Sequence, residues 1–262
     1  MPEGPSLVIL RELAEPFAGK TIAHASGNSK TIHLGELDGQ PLLGVASWGK
    51  HFLLRLADRS LRIHFLLFGS YRINERKDAI PRLQLTFDDG DELNFYACSI
   101  KEIGEDLDAE YDWRGDVMND AWDAALARKK LRAQPGMLVC DALLEQDIFA
   151  GVGNIIKNEV LFRIRVHPLS TIGALPAPKL RALVEEARQY SFDFLKWKKE
   201  FTLKAHWLAH AKKTCPRCHV PLHKAYLGKT QRRSFFCPLC QKQYGGNDGL
   251  SSPDNTHHEE TA

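Results

Sequence analysis

Leu143-Leu-Glu-Gln-Asp-Ile-Phe-Ala-Gly-Val-Gly-Asn154 is the stretch that decides the fold. Apolar residues flank the Gly151-Val-Gly153 break, and the run continues to Phe162. The pattern predicts two helices over 143–162, broken at the glycine pair. Backbone N–H groups exposed at the start of the second helix form a nest for a phosphate, and Asn154 adds a side-chain donor. Glycines in a helix–helix turn also serve geometry alone.

Downstream the chain stays helical. Pro176 and Pro178 open a long helix expected over 179–204. Cys215-Pro-Arg-Cys218 and Cys237-Pro-Leu-Cys240 follow, two Cys-x-x-Cys knuckles eighteen residues apart. Each knuckle offers two thiolates to one tetrahedral ion, and the intervening length fits a β-hairpin. Paired redox dithiols are the competing reading. One Zn2+ held by four thiolates leaves no open position for substrate, so the expected metal is structural. The hairpin carries Lys224, Lys229, Arg232 and Arg233 beside Tyr226, Phe235 and Phe236, which suits contact with phosphates. A ribbon that docks a protein partner has the same outline. Cys98 and Cys140 remain as ordinary buried thiols.

Upstream the periodicity changes. Short β-rich runs at 31–34, 42–48, 51–56, 60–65, 70–73, 82–87 and 92–97 are separated by turn signals such as Asp88-Asp-Gly90, a spacing that predicts a β-sandwich or barrel. One helix, expected over 6–17, precedes them. An acidic connector covers 102–123. Residues 245–262 are rich in Gly, Ser, Asp and Asn without apolar periodicity, and are expected to be disordered.

The net charge of +2 hides a division. Residues 128–244 hold 22 Lys and Arg against 8 Asp and Glu, whereas residues 1–127 hold 13 against 21. The basic half is the candidate surface for a polyanion. With 44% hydrophobic residues the chain can build a core. No apolar run is long enough to span a bilayer. No secretory leader pattern opens the chain, and six cysteines are too few for a disulfide scaffold, so a reducing cytoplasmic setting is expected.

Met1-Pro-Glu-Gly-Pro5 carries the chemistry. Removal of Met1 would leave Pro2 with a secondary α-amine, whose pKa near ~8 lies well below that of lysine. Attack by such an amine on a sugar C1′ gives an iminium, an electron sink that makes elimination feasible. Glu3 beside it is placed to move protons. The same five residues also read as a plain helix start.

Together these pieces resemble the formamidopyrimidine-DNA glycosylase/endonuclease VIII family of base-excision repair enzymes. The resemblance rests on Met-Pro-Glu-Gly-Pro5, Trp48-Gly-Lys-His51, the 143–154 stretch and Gln231-Arg-Arg-Ser-Phe-Phe-Cys237, in that order along the chain. It implies an α+β protein: an N-terminal helix plus β-sandwich lobe (1–122), then a helical helix-two-turn-helix lobe (123–210) with a C-terminal four-cysteine zinc finger (211–244). It also implies a monomer acting on double-stranded DNA that contains oxidised bases or abasic sites, in the cytoplasm, associated with a bacterial-type nucleoid. By the same resemblance Pro2 is the nucleophile, Glu3 the proton carrier and Lys50 the sandwich lysine near the lesion. Asn154 and Arg232 bind backbone phosphates, and Leu66-Leu67-Phe68 fills the gap left by an everted base. That apolar triplet also reads as a buried strand end.

Gly4 and the Leu-Leu-Phe triplet followed by Gly-x-Tyr-Arg look like the endonuclease VIII branch, which favours oxidised pyrimidines. Three features depart from the pattern. Ser6 stands where Glu is usual, Leu66 where a polar wedge residue is common, and the knuckles lie slightly farther apart. Ser6 keeps a second class in view, a non-catalytic damage- or structure-specific DNA-binding protein. A zinc-ribbon transcription or RNA-binding factor would explain the basic half but not Pro2, Glu3 and Lys50.

Overall fold

The structure, a computed structural model, describes residues 2–245; Met1 and the expected disordered tail beyond Gly245 lie outside the described residues. Pro5 opens helix α1 (Gly4–Ala14), where its missing N–H costs nothing. The helix buries Leu7, Leu10 and Ala14 against the sheet. A single 3-10 turn, Glu15–Phe17, completes the segment expected as helix.

Six antiparallel strands follow: β1 (Ile22–Ser26), β2 (Gly44–Trp48), β3 (His51–Arg55), β4 (Ser60–Ile73), β5 (Leu83–Phe87) and β6 (Glu92–Ile103). Their order is β1-β5-β6-β4-β3-β2. The sheet folds over one core, with Phe52 and Phe65 both against Phe95 at 5.9 and 6.3 Å between ring centroids. This is the expected sandwich lobe.

Two strand expectations need correction. Residues 31–34 are not a strand; the first strand is Ile22–Ser26. Its register shifts between Ile22 and His24, so the buried residues Ile22 and Ala25 fall three apart and the alternation of two is lost. The runs 60–65 and 70–73 are one strand, β4, interrupted by an irregularity between Phe65 and Ser70. Opposite it, Ala97 takes a positive φ of 48°.

Beyond the short helix α2 (Leu107–Glu110), the chain enters a second core. Helix α3 (Ala124–Arg132) is capped by the Asp123 carboxylate, which accepts from Ala125 N and Leu126 N. Helix α4 (Val139–Ala142) is only four residues, and 143–153 forms turns where a helix was expected. The apolar residues Leu143, Ile148, Phe149 and Val152 are all buried, so their density reflects core packing and not helical period. The Gln146 side chain pins these turns. Its amide donates to Leu144 O and Val152 O and accepts from Gly151 N.

Helices α5 (Asn154–Arg163) and α6 (Ala177–Lys199) complete the helical lobe. Helix α6 starts two residues before the expected 179. It stops before 204 because Phe201 turns to a φ of 59°. The hairpin β7 (His223–Leu227) and β8 (Arg232–Phe236) lies between the knuckles, as the spacing predicts. Cys98 and Cys140 are buried, and burial pushes both thiols up to about 11. No helix of the described residues is long and apolar enough to cross a membrane.

Candidate active site and nucleic-acid interface

Three backbones meet at three glycines. Gly4 N donates to Gly151 O at 2.8 Å. A Cβ on Gly4 would lie 2.9 Å from Gly151 Cα, and one on Gly49 would lie 3.0 Å from Gly151 N. Gly49 and Gly151 both have positive φ, 53° and 98°. The N-terminal segment, the β2–β3 turn and the glycine turn before α5 therefore touch without side chains between them.

This junction brings Glu3 to the start of α5. Glu3 occupies the cap position of α1 but makes no cap bond there, and Gly153 at the cap of α5 has no side chain to offer. The Glu3 carboxylate supplies the missing cap. It accepts from Ile155 N at 2.7 Å and from Gly153 N and Ile156 N at 3.2 Å each. The residue is only 4% exposed. Burial raises its pKa, and the three N–H bonds and the Lys50 charge oppose that without cancelling it.

Lys50 follows Gly49, whose N–H donates to the buried Asp116 carboxylate at 3.0 Å; Met118 N donates to the other oxygen of that carboxylate at 2.8 Å. Burial lowers the Lys50 pKa, Glu3 raises it and Arg232 lowers it. Lys50, Glu3 and Arg232 thus share one electrostatic site. His64 adjoins it, its pKa lowered first by burial and then by the Lys50 charge. Pro2, Glu3 and Ser6 open onto a cavity of about 1120 Å³ that Tyr71, Arg72 and Trp207 also line.

The remaining sequence candidates fall around this cavity and α5. Leu66, Leu67 and Phe68 are 49%, 57% and 83% exposed, so the triplet is not a buried strand end. Asn154 opens α5, and its side-chain amide donates to Arg233 O at 3.0 Å. Its Oδ1 is buried without a hydrogen-bond partner among the described residues. Arg232 is exposed at the start of β8. The sulfurs of Cys215, Cys218, Cys237 and Cys240 lie within 4.8 Å of one another, with Cys215 and Cys240 at 3.8 Å. A tetrahedral ion with metal–sulfur bonds of about 2.3 Å sets its ligands about 3.8 Å apart, so this cluster fits a metal.

Sequence reasoning missed Asp116, Lys157 and Asn158. A signal for the last two was present: Asn154, Lys157 and Asn158 are polar at i, i+3 and i+4 of the helix, hence on one face.

Comparison with known proteins agrees with this arrangement. The family model for the formamidopyrimidine-DNA glycosylase N-terminal domain matches residues 1–98, and the model for the H2TH domain of the same enzymes matches residues 116–192. Endonuclease 8-like 2 of Bos taurus is 33% identical over 73% of this chain, and that of Homo sapiens is 32% identical over 89%. Endonuclease 8-like 3 of Mus musculus is 31% identical over 92%. The chain spans 61%, 71% and 41% of the lengths of these three relatives. Lactococcus lactis Fpg, solved in complex with DNA containing an oxidised pyrimidine, superposes with a TM-score of 0.81 at 22% identity, covering 92% of this chain and all of that one. A viral DNA glycosylase gives 0.79 at 19%, with the same coverage. At such identities the superpositions speak for the fold. The profile matches and the identity to human endonuclease 8-like 2 place this chain in the formamidopyrimidine-DNA glycosylase/endonuclease VIII family, on its endonuclease VIII-like side.

Proposed function

We propose that this protein is a bifunctional DNA glycosylase and abasic-site lyase of base-excision repair that removes oxidised bases, pyrimidines foremost. The observation that carries the reading is Glu3: a buried carboxylate with raised pKa, fixed by three backbone N–H groups, next to Pro2 at the mouth of a large cavity. The names of the endonuclease 8-like relatives and the oxidised-pyrimidine DNA bound by the Lactococcus enzyme support the substrate class.

With Met1 removed, the Pro2 nitrogen bonds to C1′ of an everted nucleotide as the bond from C1′ to the base breaks. Burial raises the Glu3 pKa, which favours its protonated form and suits it to pass a proton to the departing groups. The nitrogen lone pair then opens the sugar, breaking the C1′–O4′ bond as a proton passes to O4′, and the iminium so formed draws electrons from C2′. Loss of a C2′ proton expels the 3′ phosphate, and a second elimination expels the 5′ phosphate. Lys50, Arg232 and the side-chain amide of Asn154 hold the flanking phosphates. The α5 backbone N–H groups expected as a phosphate nest do not, because Gly153, Ile155 and Ile156 donate to Glu3 instead. Leu66, Leu67 and Phe68 fill the space left in the stack.

One structural Zn2+ bound by Cys215, Cys218, Cys237 and Cys240 ties the hairpin together. The protein works as a monomer on duplex DNA, in the cytoplasm. It is divided into the catalytic lobe (1–122), the helix-two-turn-helix lobe (123–210) and the finger (211–244).

Borohydride trapping on duplexes carrying an abasic site, 5-hydroxyuracil, thymine glycol or 8-oxoguanine tests the reading. A covalent adduct is expected, strongest with oxidised pyrimidines among the bases and absent in Pro2→Ala, which still binds DNA. Full strand cleavage by Pro2→Ala, or an intact mass that retains Met1, would sink the nucleophile assignment.

A further inference from the structure

The ammonium of Lys157 lies inside the protein, between α5 and the finger. The residue is 1% exposed. Its Nζ donates to Ser234 Oγ at 2.9 Å and to Arg233 O at 3.3 Å. Two neighbours on the same helical face join it. Asn154 Nδ2 and Asn158 Nδ2 donate to Arg233 O at 3.0 and 3.2 Å, and Asn158 Oδ1 accepts from Phe235 N at 3.1 Å. Three side chains thus converge on one carbonyl of β8. Ser234 Oγ reaches on to Arg232 O at 3.5 Å.

A buried lysine is costly, and a packing role could be filled by an apolar side chain of similar length. What Lys157 adds is a charge-assisted grip on the two peptide units that follow Arg232. Arg232 itself has few constraints on its side chain, which is exposed. Its placement near Lys50 therefore depends on where the β8 backbone is held.

We propose that Lys157 is a positioning residue for DNA binding: its ammonium fixes β8 at Arg233 and Ser234, and so aims Arg232 at the phosphate backbone beside Lys50. The inference rests on the reading of Arg232 as a phosphate contact. Helix α5 then joins both ends of the site, because its N-terminus holds Glu3 and its next turn holds the finger.

The charge on Lys157 titrates within reach of ordinary buffers. Burial pushes its pKa down to about 8; Cys140 and Asp141 of α4 and Glu3 of the N-terminal segment raise it, and Arg232 of β8 lowers it further. His210, facing it from the segment before the finger, is itself lowered to about 4, chiefly by burial, and stays neutral in the same range. Below pH 8 the ammonium is present and the grip is charge-assisted. Above pH 8 it is lost.

The test measures dissociation constants for a duplex with a tetrahydrofuran abasic analogue, using zinc-loaded full-length protein. Lys157→Met is expected to weaken binding about tenfold at pH 7. The single-turnover cleavage rate at saturating abasic DNA should stay at the wild-type level. Ser234→Ala, a milder change, should weaken binding in the same direction. The wild-type advantage over Lys157→Met should shrink as pH rises through about 8. Combined with Arg232→Ala, Lys157→Met should add nothing.

Losses that multiply in the double variant would overturn the proposal, as would unchanged affinity in Lys157→Met or an advantage that is constant from pH 6.5 to 9.5. If Arg232→Ala alone binds normally, the reading of Arg232 fails and this inference falls with it. A loss in Arg232→Ala with none in Lys157→Met overturns only the inference.

Discussion

A methyl group at position 153 would occupy the place of the Glu3 carboxylate. In Gly153→Ala the new Cβ would sit 2.4 Å from Glu3 Cδ, 2.5 Å from Cγ and 2.6 Å from Oε1. Gly153 has a φ of −122°, which any residue adopts, so the backbone absorbs the change without strain and the effect passes to Glu3. Non-bonded carbons settle at about 3.5–4.0 Å, so the carboxylate must retreat by roughly 1 Å. Two of its three hydrogen bonds are already 3.2 Å long and would not survive. A bond to a charged group contributes about 1.5–3 kcal/mol, so the variant gives up roughly 3–6 kcal/mol of interaction around Glu3. Losing those two N–H donors also removes part of what opposes the raised pKa, which moves higher still. A misplacement of about 1 Å costs on the order of 10²-fold in rate, and that loss is expected in single-turnover cleavage of an abasic duplex. Affinity for an uncleavable abasic analogue should change by less than about threefold, since the lost bonds hold a proton carrier and not DNA. Wild-type cleavage in Gly153→Ala would refute the reasoning, and so would a rate loss fully explained by weaker binding.

Two further outcomes follow from the same structure. The finger's own core is small (Phe162, Ala209, Cys215, Leu222 and Cys237), so the zinc proposed for its four cysteines would supply much of its stability. Stripping zinc with a chelator, or Cys237→Ser, should lower DNA affinity by about 10²-fold or more while the sandwich lobe stays folded; circular dichroism and anisotropy read both, and metal-free protein with full affinity would contradict it. His51 and His210 are each lowered to about 4, first by burial, from an ordinary 6.5. Between those values the unfolded chain binds protons that the folded chain does not, so each histidine adds a slope of up to ~1.4 kcal/mol per pH unit. Stability from these groups is complete above pH 6.5 and is lost as pH falls towards 4. Urea midpoints at pH 7.5, 6 and 5 should therefore decline, and a flat series would show that the two rings are not held neutral.

The parts legible in the sequence were those whose geometry is local. The knuckle spacing specifies a hairpin because both pairs must reach one ion. Turn signals located most strands, for a β-strand announces itself over a few residues. Strand β1 escaped because its register shift turns an alternation of two into a gap of three between Ile22 and Ala25. The 143–153 turns escaped because the spacing of Leu143, Ile148, Phe149 and Val152 looks alike in a helix and in a buried turn pinned by Gln146. The role proposed for Glu3 as a proton carrier rests on its neighbour Pro2, which the sequence shows. That its carboxylate caps a helix 150 residues away was not legible, because nothing within one segment records the cap it receives from another. The same holds for Lys157, whose partners lie on β8.

The meeting of Gly4, Gly49 and Gly151 also governs tolerance. Side-chain contacts between two lobes can be retuned by rotamer changes or by compensating substitutions. A contact made of main chain offers no such adjustment, because bond lengths and peptide planes do not evolve. Glu3, Lys50 and Gly153 each stand one or two residues from this point, so their mutual spacing behaves as a mechanical datum from which the rest of the protein is measured. Surface, loops and finger can drift around it. In this chain the spacing of Glu3 and Lys50 is therefore set by main chain, and a side chain added at any of the three glycines would reset it.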